Sequence, residues 1–155
     1  MIMDLQCTVS DSQSITATAV STNGLDLGVA GTVPGMGPSG VSNGVPIKDT
    51  GRGNTVSVLA QVTTAFTAAG AATMQAQLVI ADDAALTTNL LVLHQTPPIA
   101  KALLVPGYQF RLGGSIPPGV TQRFAGVNYV VATGPMTAGK VLATMGADRH
   151  SSGNV

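Results

Sequence analysis

The sequence predicts an all-β protein, its strands closed into an antiparallel sandwich, barrel or jelly roll. Three observations carry that prediction. Apolar residues recur with period 2 in several short segments. Turn signals separate those segments at Asn23-Gly24, Asp82-Asp83, Pro97-Pro98, Pro106-Gly107, Gly113-Gly114, Pro117-Pro118-Gly119 and Gly134-Pro135. No segment sustains the 3.6-residue period of an amphipathic helix. At 155 residues the chain has the length of a single β domain, enough to bury a core without disulfide or metal staples.

In chain order, residues 14–20 are rich in β-branched types and predict a first strand or an extended arm within residues 1–20. Residues 28–54 hold eight glycines and three prolines (Pro34, Pro38 and Pro46) and predict a long loop. Loops of that length in small domains are functional or disordered. In 56–63, Val56, Val58, Ala60 and Val62 share one face against Ser57, Gln61 and Thr63. In 74–81, Met74, Ala76, Leu78 and Ile80 oppose Gln75, Gln77 and Val79. The Ala/Thr/Gly stretch 64–73 between them reads as a broad hairpin connection. The apolar run Leu90–Leu93 predicts a strand. Tyr108, Phe110 and Leu112 alternate with Gln109 and Arg111, Val127, Tyr129 and Val131 with Asn128 and Val130, and Val141, Ala143 and Met145 with Leu142 and Thr144. Residues 148–155 read as a polar, flexible tail.

Charge is the compositional outlier. Charged residues are 9% of the chain, against about 25% in a typical domain, and the formal net charge is zero. All seven acidic residues are Asp. Such a surface has little long-range field, which argues against nucleic acid or anionic membrane as partners. Near-neutral proteins tend to associate, so the composition favours a surface that ends up against other proteins. Residues 53–81 carry no charge, yet Ser57, Gln61, Thr63, Gln75 and Gln77 make them too polar for a bilayer core. The opening residues lack the basic and apolar regions of a signal peptide.

Chemical motifs are few. Gly35-Met36-Gly37-Pro38-Ser39-Gly40 matches G-x-G-x-x-G, but Pro38 removes one N–H and the residues after it cannot start a helix. It reads as a plain loop, with no nucleotide cofactor. His94 and His150 lack metal-ligand spacing, and His94 reads as a surface or interface side chain. Cys7 excludes an internal disulfide and has no neighbouring base to make it a nucleophile, so it reads as a buried or partly buried structural thiol. Asp82-Asp83 supplies too few oxygens for a calcium loop and reads as a strand-end turn. There is no Trp, and Tyr108, Phe110 and Tyr129 fall on core faces, which leaves no aromatic platform for sugar. The residues alone thus point to a β domain that acts through its surfaces, with no catalytic residue, cofactor or metal.

Asp11 to Gly28, Thr63 to Thr73 with Gln77 to Leu86, Leu104 to Phe110 and Arg123 to Gly139 together resemble the capsid cement, or decoration, proteins of tailed bacteriophages, typified by the Bordetella phage cement protein. The strings Ala-Phe-Thr-Ala-Ala-Gly-Ala-Ala and Asn-Tyr-x-Val-Ala-Thr-Gly-Pro-x-Thr-Ala-Gly are the most specific. The resemblance implies a jelly-roll fold and a homodimer or homotrimer on the outer surface of the virion head, made in the host cytoplasm. It implies contact with the major capsid protein and offers no catalytic residues. Residues 31–54 look longer than the equivalent connection in that family. On this reading the N-terminal arm (4–20) and the 28–54 loop supply reach toward a neighbour. Ile15 in the arm and Val33, Met36, Val41, Val45 and Arg52 in the loop are then the candidate capsid or subunit contacts. The alternative is another virion β-module, such as a tail or receptor-binding domain.

Overall fold

The computed structural model describes residues 7–27, 56–114 and 121–147. Among the described residues ten strands follow one another as β1 (Thr8–Ser14), β2 (Ala19–Val20), β3 (Leu25–Asp26), β4 (Val56–Thr67), β5 (Thr73–Ala81), β6 (Leu91–Gln95), β7 (Ile99–Ala100), β8 (Gln109–Gly114), β9 (Phe124–Ala132) and β10 (Ala138–Ala147). A 3-10 turn, Lys101–Leu103, lies between β7 and β8. All described pairings are antiparallel.

Two sheets form. One runs β1-β10-β4-β8 and the other β2-β9-β5-β6, with β3 also on β9 and β7 also on β5. Counting β2/β3 and β6/β7 as split strands leaves eight. In chain order the sheets then read 1-8-3-6 and 2-7-4-5. Nearly every connection crosses from one sheet to the other, which is the double Greek-key wrap of a jelly roll.

The period-2 pattern puts the core between the sheets. Val58, Ala60 and Val62 of β4 pair in register with Met145, Ala143 and Val141 of β10, and all six are at most 2% exposed. Opposite them, Met74, Ala76, Leu78 and Ile80 of β5 lie beside Val127 and Tyr129 of β9, all at most 1% exposed. Phe110 and Leu112 complete the first sheet's inner face. Each large side chain buried this way stabilises by roughly 1.5–3 kcal/mol relative to exposure.

Three expectations need correction. The 64–73 stretch is not a hairpin: β4 continues to Thr67, and the chain then crosses to the other sheet. The apolar faces of β4 and β5 meet across the core, whereas a hairpin would have placed both on one side of a single sheet. Residues 14–20 are not a reaching arm. Ser14 ends β1, Ile15 is 0% exposed, and Ala19–Val20 joins the second sheet, so this segment is a corner between sheets. Gly113-Gly114 is no turn but the end of β8, paired with Ser57 and Val56. The 28–54 loop, the glycine motif at 35–40, Pro117-Pro118-Gly119 and the tail lie outside the described residues.

The two specific strings of the sequence meet in space. Phe66, from the first, lies against Gly139, the end of the second: a Cβ on Gly139 would sit 2.3–2.5 Å from the Phe66 ring. Gly139 has φ +146°, a conformation that L side chains rarely adopt, and it sits at an irregularity of the β4–β10 register. The Thr67 and Thr137 hydroxyls bond at 2.7 Å beside it.

Candidate interaction surface

The sandwich has two edges, one where β1 meets β2/β3 and one where β6 meets β8. At the first, an irregularity in β1 between Ser10 and Gln13, with Ser12 at φ +47°, turns both polar side chains to use. The Ser10 hydroxyl donates to Gln13 Oε1 at 2.8 Å and lies 3.0 Å from the Tyr129 hydroxyl. With the Ser10 proton engaged, Tyr129 donates across the sheets. Gln13 Nε2 donates to the Val20 carbonyl, and Gln13 Oε1 also accepts from the Thr22 amide. Tyr129 is 0% exposed, and that burial pushes its pKa up to about 12. Ile15 seals this edge, its amide donating to the Gly139 carbonyl.

The second edge is apolar and open. Leu91 and Val92 are 42% and 39% exposed, in a strand whose other side pairs with β5, and Leu90 just before it is 37% exposed. A bulge in β6 lets Leu93 pack against the core, and His94 is exposed. The preceding loop, 82–90, is rigidly built. Asp83 accepts from the Thr87 and Thr88 amides and the Thr87 hydroxyl, and Asp82 accepts from Asn89. The Thr88 amide, then the Thr87 hydroxyl, hold the Asp83 carboxyl down at about 2. The loop folds Leu86 (φ +55°) back over the outer face of the second sheet, where it buries Val79 and Ala81. Gly126 makes room, since a Cβ there would meet Leu86 at 2.3 Å.

Two further exposed apolar residues, Leu103 at 56% and Val105 at 50%, flank the fully buried Leu104. The Leu104 carbonyl accepts from the Phe66 amide and fixes this turn to β4. The Lys101 ammonium donates to the Ala68 carbonyl and ties down the sheet-crossing connection. The outer face of the second sheet carries an amide ladder: Asn128 donates to Gln77, and Gln77 to Gln95.

The structure places Ile15 inside its own subunit, so it is a core residue and not a contact. Val33, Met36, Val41, Val45 and Arg52 lie outside the described residues. Cys7 is half-buried. Asp82-Asp83 is a strand-end turn, its oxygens taken up by the loop's own donors. Composition and periodicity did not single out Leu103, Val105 or the exposure of Leu90–Val92. The unalternating run Leu90–Leu93 was the available signal, because a strand with one wet face should alternate.

These features define a jelly-roll sandwich with few charges, one hydrogen-bonded edge and one apolar edge. A family model described as Bbp16 matches residues 9–145. The chain belongs to the Bbp16 family, whose name points to a Bordetella phage protein. No curated protein matches it.

Proposed function

We propose that this chain is a structural virion protein that binds the outside of a phage head as a homo-oligomer and stabilises the major-capsid-protein lattice across capsomer junctions. The observation that carries the reading is family membership along residues 9–145, from β1 into β10. The jelly roll with exposed apolar pairs and few charges supports it. Large contacts with few ions avoid the cost of stranding unpaired buried charges. The protein acts by mass action: it binds assembled shell more tightly than free subunits, so separation of capsomers must also break its contacts. A stable contact of this kind buries on the order of 1,200–2,000 Å². Repetition over a lattice adds avidity without new chemistry. No catalytic step is part of this function.

Co-sedimentation with purified heads, followed by cryo-electron microscopy, tests the proposal. Regular density on the outer lattice is the expected result. Binding confined to tails, or none to heads, would overturn it.

A further inference from the structure

Most buried apolar residues belong to one core between the sheets. Val79, Ala81 and Leu86 form a separate, small cluster on the outside of the second sheet, with Val20 and Phe124 packed at its rim. Leu86 is the only buried residue of the 82–90 loop. Its side chain drops into a socket floored by Gly126, where any side chain would take its place. Gly24 shapes the wall: a Cβ there would lie 3.2 Å from the Ala84 carbonyl oxygen and 3.7 Å from Leu86 Cδ2. The loop's hydrogen bonds close on the loop itself. Asp83 holds Thr87 and Thr88, Asp82 holds Asn89, the Asp82 amide donates to the Thr88 carbonyl and the Leu86 amide to the Asp83 carbonyl. From the rest of the chain, Gln122 Nε2 reaches the Asn89 carbonyl at a long 3.5 Å. Leu86 at φ +55° and Asn89 at φ +49° sit in the left-handed region, which a leucine rarely visits. Such strain persists only where the surroundings impose it, and it offsets part of what burying Leu86 contributes.

We infer that the 82–90 loop is a strap that opens as a unit on one peg, Leu86, and uncovers an apolar socket on the outside of the second sheet while both sheets stay folded. A loop that satisfies its own polar groups keeps them satisfied when it swings away, so opening breaks few hydrogen bonds. What it gives up is the burial of one strained leucine, which corresponds to a factor of roughly 10–200 in population. Global unfolding is rarer by orders of magnitude, because it must also open the core between the sheets. The strap runs directly into β6, so opening adds Leu86, Val79 and Ala81 to the apolar surface already exposed at Leu90, Leu91 and Val92. The device thus sets how much apolar surface this margin of the sandwich presents. It stands or falls without capsids.

The test is thiol labelling of the full chain with 5,5′-dithiobis(2-nitrobenzoate), in a Cys7→Ser background. Val79→Cys and Ala81→Cys report on the socket, and both parent residues are 0% exposed. Ala76→Cys, equally buried but on the inner face of the same strand, reports on global unfolding. Ala85→Cys, exposed on the strap, sets the unhindered rate. The two socket thiols should react roughly 10–200-fold more slowly than Ala85→Cys, at rates that urea below the unfolding transition leaves unchanged. Ala76→Cys should be at least about ten-fold slower still and should accelerate with urea. Val79→Cys shrinks the buried side chain and Ala81→Cys enlarges it, so agreement between them excludes an opening caused by the substitution. Leu86→Ala should move both socket rates toward that of Ala85→Cys. Socket thiols that react only as slowly as Ala76→Cys, with the same urea dependence, overturn the inference. So do socket thiols as fast as Ala85→Cys in the presence of Leu86, which would mean no closed strap. A disagreement between the two by more than about ten-fold would mean piecemeal fraying, and indifference to Leu86→Ala would mean another peg; either result also overturns it.

Discussion

At one edge of the sandwich, β1 and β2/β3 are tied by a chain of hydrogen bonds running from Tyr129 through Ser10 and Gln13 to Val20 and Thr22. At the other, β6 and β8 run side by side and leave Leu91 and Val92 in water. Both edges face the same problem, unpaired backbone at the margin of a sheet. One solves it internally, with a bulge, a corner residue in the core and saturated polar side chains. The other leaves it unsolved within the subunit. The lesson is that polar residues at the first edge are fold machinery, and apolar residues at the second are spare to the fold.

That contrast can be broken by experiment. Gly139→Ala should have the largest effect, because it forces a side chain into the Phe66 ring at a positive φ behind the closed edge. A loss of about 2–4 kcal/mol in a denaturant titration is expected. Next comes alkaline pH. The Tyr129 pKa is raised in the folded state to about 12 from 10.0, so the unfolded chain loses its proton first. Stability is intact below pH 10.0 and falls as pH rises toward about 12, by roughly 2–3 kcal/mol. Tyr129→Phe should cost about 1 kcal/mol at neutral pH and shrink that alkaline step, read from denaturation midpoints at several pH values. Val92→Thr at the open edge should change the stability of the subunit by less than about 0.5 kcal/mol. A large loss there would mean that the open edge also serves the fold. The smallest effect is local. Asp83 has a lowered pKa, so its hold on Thr87 and Thr88 is present near neutrality and is lost as pH falls from 3.8 through about 2. Asp83→Asn should speed amide exchange at Thr87 and Thr88 and leave the global midpoint nearly unmoved.

The strands and their inner faces were legible because alternation reports which face is dry. Every inward residue assigned on β4, β5 and β10 whose side chain is described is buried. Sheet membership was not legible. Two consecutive amphipathic strands can pair or face each other, and the same pattern serves both, which is why the connection after Thr67 was misread. Ile15 was misread for a related reason: a β-branched residue between polar neighbours looks the same in an arm and in a corner. The family resemblance anticipated the jelly roll, and the contact of Phe66 with Gly139 gives its strings a physical meaning. The open edge left only a faint trace, an apolar run without alternation, because exposure at a sheet margin depends on strand order and not on local sequence.

The ladder of Asn128, Gln77 and Gln95 has one more consequence. Carboxamides neither gain nor lose a proton across the pH range in which proteins survive. A face built on them offers the same donors and acceptors to its hydration layer in acid, at neutrality and in mild alkali, and it gives dissolved salt few charges to screen. The ladder therefore presents a chemically constant stretch of the second sheet's exterior, little affected by the ionic composition of the medium around it.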